Sequence, residues 1–174
     1  MKDQFTVPDI FFTSDTHFGH ANILKYDTSR HIFSSVEHHD ASMVMNWNKV
    51  VKANDIVYHL GDFAFKNPER HVQLLNGKIH LILGNHDGKD TRKLARWESI
   101  QDVLLLKNEK LFLSHYPHYS WPSAHHGICH LFGHVHEAFL HVPGVDWPNL
   151  NVGTHFHNFT PVHIDELKDR YNKS

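Results

Sequence analysis

The chain lacks most of the features that set special protein classes apart. It has one cysteine, Cys129, in 174 residues. No internal disulfide can form, and the chain reads as cytoplasmic. No apolar run approaches the length of a transmembrane helix. The opening MKDQFTVPDIFFTSDTH has no apolar stretch long enough for a signal peptide, and no membrane partner is expected. Lys and Arg number 17 against 19 Asp and Glu, a formal net charge of -2. There is no general basic field of the kind that draws a protein to nucleic acid. No repeat, low-complexity segment or linker divides the sequence, and its length suits one domain over residues 1–174. What is present begins with 40% hydrophobic and 21% charged residues, enough for a core without disulfides. The outlier is histidine, with 20 residues. That abundance permits metal chemistry but does not establish it.

Short apolar runs predict buried strands at 10–12, 55–60, 78–83, 103–106 and 111–113, with KNEK as a hairpin turn between the last two. Residues 130–132 and 150–152 are shorter strand candidates. Met43, Val44, Trp47, Val50 and Val51 recur at the spacing of one helix face, with Asp40 near the start. A second helix is expected from Pro68 through Val72, Leu74 and Leu75 to Asn76-Gly77, and a third over 91–97. Strands alternating with helices, then a strand-rich run, predict an α/β layered domain. The loop YPHYSWPSAHHG, residues 116–127, has a length at which loops often carry function.

LFGHVH, residues 131–136, sets a glycine and two histidines at the end of an apolar run. In an extended chain His134 and His136 would face the same side, and neutral imidazole is the commonest side-chain metal ligand. Four other runs end alike: IFFTSDTH in Asp15 and His17, DIVYHLGD in Asp62, KIHLILGNHD in Asn85, His86 and Asp87, and KLFLSH in His115. Ligands of open α/β sheets bind beyond the carboxyl ends of the strands. Five runs feeding one edge would therefore converge on one site. Asp, Asn and His without cysteine form a mixed oxygen and nitrogen set, suited to manganese, iron, zinc, nickel or cobalt. There are more donors than one tetrahedral zinc needs. The excess points to two ions sharing a carboxylate, as in phosphoester hydrolysis.

The order DxH, GD, GNHD, SH, GHxH resembles that of the calcineurin-like metallophosphoesterases, and it spans residues 15–136. The stretch SDTHFGHANI is also similar to the small stand-alone phosphoesterases of bacteria and phages. The resemblance implies the metallo-dependent phosphatase fold, an α/β two-sheet sandwich flanked by helices in four αββα layers. It implies one ion on Asp15, His17, Asp62 and His136 and another on Asp62, Asn85, His115 and His134, with Asp62 bridging. His86 would stand beside the scissile phosphate, off the metals, so that His86 and Asp62 are the expected catalytic residues. The expected cofactors are two divalent ions, manganese first, with iron, zinc, nickel or cobalt as alternatives.

The expected chemistry is phosphodiester hydrolysis by in-line attack of a metal-bridging hydroxide. Protonated His86 would supply a proton to the leaving oxygen, worth about 10²–10⁴-fold. Protein Ser/Thr phosphatases of the superfamily carry GDxxDRG, but here the stretch is Gly61-Asp62-Phe63-Ala64-Phe65-Lys66-Asn67. Phe65 cannot orient an imidazole as a carboxylate does. That counts against a protein phosphatase. A diester carries less charge than a monoester and suffers less from the missing Arg, so a small diester or nucleotide is the expected substrate. The alternatives are a phosphomonoesterase acting on a small metabolite and a non-enzymatic binding module on the same scaffold. A histidine-rich metal buffer would cluster its histidines in biased tracts. Nucleic acid as substrate and a homo-oligomer both stay compatible with the sequence.

Asn85, His20, Tyr26 and Arg30 are candidate substrate contacts, with a helix start as the equal alternative for His20 and Asn22. His59 and His80 alternate with apolar neighbours and read as strand residues; His38 and His39 read as a helix face. Trp47 and Cys129 are expected in the core. His125, His126, His155 and His157 either line the pocket mouth or stand in solvent. Tyr119 and Trp121 either stack on a base or pack their loop down.

Overall fold

The computed structural model describes residues 7–171. The chain order is β1 (Ile10–Thr13), α1 (Ile23–Tyr26), α2 (Val36–Val50), β2 (Ile56–His59), α3 (Pro68–Gln73), β3 (Lys78–Ile82) and α4 (Lys89–Arg92). It continues with β4 (Trp97–Gln101), β5 (Val103–Leu106), β6 (Leu111–Ser114), β7 (Cys129–Phe132), β8 (Asn149–Asn151), β9 (Val162–His163) and α5 (Ile164–Tyr171). The strands form two sheets, β4-β3-β2-β1-β9 and β5-β6-β7-β8. In the first, β1 to β4 run parallel and β9 closes the edge antiparallel to β1. In the second, β6, β7 and β8 run parallel, and β5 pairs antiparallel with β6 across the KNEK hairpin.

Alternation along each strand divides the core. In β1, Phe11 faces a cluster with Trp47, Val51, Val57, Val72 and Ile79, between the first sheet and helices α2 and α3. Phe12 faces the other way, into a cluster with Leu60, Ile82, Leu113, Leu131 and Leu150 between the two sheets. Strands apolar on both faces read as unbroken hydrophobic runs, which is why they were legible. The outer face of the second sheet is covered by the 116–128 loop, through Phe112, Trp121, Ala124 and Ile128. Its regular structure is one 3-10 turn, Ala124–His126.

Several boundaries differ from the sequence expectation. Helix α2 starts at Val36, where the Ser35 side chain accepts from the His38 amide at 3.1 Å, so Asp40 lies a full turn inside. Helix α3 has Pro68 in its first turn as expected but ends at Gln73. The third helix stops at Arg92, and Trp97 instead opens β4. Trp97 is buried edge-on against Phe63, ring centroids 5.1 Å apart, and its indole nitrogen donates to Thr91 O at 2.7 Å. Tertiary packing on the sheet edge outweighs the local pattern there. Strand β9 and helix α5 were not anticipated. The helix IDELKDRY is largely polar and anchors through Ile164 and Leu167 into the intersheet core.

Candidate metal centre

The ligand-bearing ends meet, although they belong to both sheets rather than to one. Strands β1, β2 and β3 deliver Asp15 and His17, Asp62, and Asn85 and His86; β6 and β7 of the second sheet deliver His115, and His134 and His136. The expectation of one sheet edge is corrected to the shared edge of a sandwich. Strands β1, β2 and β7 break sharply there. Asp15, His17, Asp62, His134 and His136 adopt left-handed φ of 59, 50, 57, 67 and 44°. Such conformations in non-glycine residues are unfavourable and concentrate at functional sites. Gly84 and Gly133 permit the close approaches: a Cβ on Gly84 would meet the Asp62 side chain and backbone nitrogen, and one on Gly133 the Ser14 and Asp15 side chains.

The donors fall into two groups that share one carboxylate. His17 Nε2 lies 3.3 Å from His136 Nε2 and 3.8 Å from Asp15 Oδ1. His115 Nε2 lies 3.1 Å from Asn85 Oδ1. Asp62 Oδ2 reaches both groups, 3.9 Å from His17 Nε2 and 3.5 Å from His115 Nε2. Asp15, His17 and His136 form one candidate metal-binding cluster, and Asp62, His115 and His134 another.

The electrostatics fit cations. Asp15 is fully buried, yet its Oδ1 has no hydrogen-bond partner among the described residues. A buried, unpaired carboxylate oxygen is costly unless an ion completes it. Burial pushes the Asp62 carboxyl up to about 6, with Asp15 acting in the same direction and His115 against it. Burial, then the Arg30 charge, holds His17 well below its usual range, so its ring is a neutral donor. Burial also works against protonated His136, but the hydrogen bond to Asp27 and the Asp15 charge outweigh it and raise its pKa. The same carboxylates make the His136 Nε2 position favourable to a metal cation.

An outer layer of bonds aims these donors. His115 Nδ1 sits 2.7 Å from Leu60 O, which directs Nε2 at the site. His136 Nδ1 is 3.1 Å from Asp27 Oδ2 in the same manner. Asp87 accepts from the amides of Asp62, Phe63 and Gly84 at 2.9, 2.9 and 2.8 Å and fixes the turn that presents Asp62. The His86 amide donates to Asp62 Oδ1 at 2.8 Å, and the His134 amide to Asp15 Oδ2 at 3.0 Å.

The structure places the other candidates unequally. The exposed His86 ring stands 4.7 Å from Phe65 and 5.9 Å from His17. His20 lies flat on Phe65, centroids 3.6 Å apart. Tyr26 is 76% exposed at the end of α1, outside the donor groups. Arg30 is 0% exposed, so the expectation that it touches substrate is corrected: its guanidinium is enclosed beneath the donors. His39 is likewise buried, with Nε2 against Arg30 Nη1 at 2.5 Å and Nδ1 against Asp40 at 2.9 Å. His155 stacks 5.9 Å from His136, whereas His157 is buried against Asn151 O at 3.0 Å. Trp121 is buried, donates to Ile128 O at 2.8 Å and packs its loop down. Asp27 and Asp87 were missed as supports. Asp87 follows directly on GNH, which was a signal; Asp27 carried none.

No family model matches the chain. The crystal structure of the protein of unknown function AQ665 from Aquifex aeolicus superposes with a TM-score of 0.74 at 24% identity, over 94% of this chain and all of that one, and shares the fold. The gene 66 protein of Mycobacterium phage L5 is 28% identical over 178 residues, 82% of this chain and 84% of that protein. The uncharacterized protein MJ1445 of Methanocaldococcus jannaschii is 37% identical over 165 residues, 90% of this chain and 87% of that protein. With that identity over nearly its whole length, the chain belongs to the family of MJ1445.

Proposed function

We propose that the protein is a dinuclear metal-dependent phosphoesterase that hydrolyses a small phosphodiester or nucleotide. The observation that carries this reading is Asp62 Oδ2, which lies within 3.9 Å of donors from both groups. Asp15, His17, Asp62 and His136 would hold one ion, and Asp62, Asn85, His115 and His134 the other, manganese being the first candidate. When bound, the ions supply a water acidified toward neutral pH and neutralise charge on the phosphate oxygens.

The chain's own residues do the rest. Asn85 and His86 follow one another at the mouth, so a phosphate drawn toward the donor groups meets the His86 ring. There His86 gives a proton to the leaving oxygen. His20 lines the neighbouring wall across Phe65. Phe65, where protein phosphatases have a carboxylate, supplies shape but no charge, which favours the less charged diester. A non-enzymatic module is disfavoured because the donor set is complete. The single, buried Cys129 fits a cytoplasmic enzyme.

The test is hydrolysis of a bis-aryl phosphate and of the matching aryl monoester by manganese-loaded protein. The diester should turn over at least tenfold faster. No turnover of either substrate with manganese, iron, zinc, nickel or cobalt would refute the proposal, and a faster monoester would reverse the specificity.

A further inference from the structure

We propose that Arg30 is a positioning residue that assembles the first of the two ion sites, a role that rests on the two-ion reading above. A guanidinium carries five N–H donors in a rigid fork, and each has an acceptor here. Nε donates to Asp27 Oδ2 at 2.8 Å, and Nη2 to Asp15 O at 2.5 Å and Thr154 Oγ1 at 3.2 Å. Nη1 faces His39 Nε2 at 2.5 Å and makes a long bond to Thr16 O at 3.4 Å. No donor remains for a substrate phosphate.

The acceptors explain what the fork does. Asp15 O and Thr16 O belong to the backbone between Asp15 and His17, both held at positive φ. Arg30 therefore clamps the strained turn that aims two ligands. Through Asp27 Oδ2, which also takes His136 Nδ1 at 3.1 Å, it orients the third. His136 is 109 residues away in sequence from Asp27, so one buried side chain ties two distant segments into one half-site. His39 anchors the fork to α2, and Thr154, which donates to Asp15 O at 3.4 Å, closes it from the far side. The second half-site is supported separately, through Leu60 O and Asp87. The clamp thus predicts a defect confined to one ion.

Lysine cannot replace this fork, because its three donors leave from a single nitrogen. The experiment is metal titration and elemental analysis of the full chain after manganese or zinc loading, for wild type, R30K and D27N. Wild type should retain two ions. R30K and D27N should keep one with unchanged affinity and bind the other at least about tenfold more weakly, the scale of outer-layer effects on metal sites. In a His115→Ala background that holds one ion, adding R30K should weaken the binding of that remaining ion by the same factor. If R30K does not fold, D27N decides, since it keeps the side-chain shape while removing the charge and one of the two acceptor oxygens, the contacts that link Arg30 to His136. Two ions at wild-type affinity in the folded variants would overturn the clamp. A wild type that binds no ion would overturn the two-ion reading itself, a result visible before any variant is made.

Discussion

On the proposed reading, His86 separates the proton-donating group from the metal-holding groups at the level of one residue. Its backbone amide supports Asp62 Oδ1 at 2.8 Å, while its ring stands exposed at the mouth. Substitution by alanine keeps the amide and removes the ring. His86→Ala should therefore lower kcat by about 10²–10⁴-fold with metal content unchanged. The loss should be larger for an alkoxide leaving group than for a nitrophenolate, which needs no proton. Measuring both substrates beside elemental analysis checks this; an emptied metal site would show that the ring is a ligand. At this scale the donors were legible because Asp15, Asp62, Asn85, His115 and His134 each follow a glycine or serine where an apolar run ends, and His17 and His136 come two residues after such a donor. Asp27 and Arg30 were not, because their meaning lies in partners such as His136 and Thr154, more than 100 residues away.

The strand ends act as elements, not as isolated ligands. A run of buried residues holds each strand rigid until it breaks at the edge, and the left-handed residues turn the ligands inward there. Gly84 marks the place where β3 passes tightest against the turn after β2. Gly84→Ala would press its methyl group on Asp62, and overpacking of this kind costs about 1–3 kcal/mol. Because Asp62 serves both donor groups, affinity for both ions should fall together, by tenfold or more, with the fold kept. Metal titration beside a melting curve checks it, and a loss restricted to one ion would show that Asp62 is not shared. Element reading from sequence succeeded for β1, β2, β3, β5, β6 and α2, whose patterns are strongly apolar. It failed at Trp97, where burial against Phe63 converts an expected helix end into an edge strand.

The whole molecule depends on histidines buried as neutral rings. Burial lowers His59 to about 3, and lowers His130 and His157 to about 4, from an ordinary value of 6.5. The unfolded chain therefore binds more protons than the folded one below pH 6.5, so stability falls as pH falls. The loss begins near 6.5 and grows until the folded pKa values are passed. At pH 5 each ring costs roughly 2 kcal/mol. Asp62, raised to about 6, acts in the opposite direction, but the three rings together outweigh it, so the melting temperature of metal-free protein should drop between pH 7 and 4.5; a flat profile would contradict neutral burial of these rings. By itself the sequence determined the donor inventory, the two-faced strands and the α/β class, because apolar periodicity and glycine breaks are local chemistry. Only the tertiary structure decided that the donors come from two sheets, that Arg30 lies beneath them instead of facing substrate, and that Asp62 reaches both groups. Those are distances between segments far apart in the chain, and no local pattern encodes such a distance.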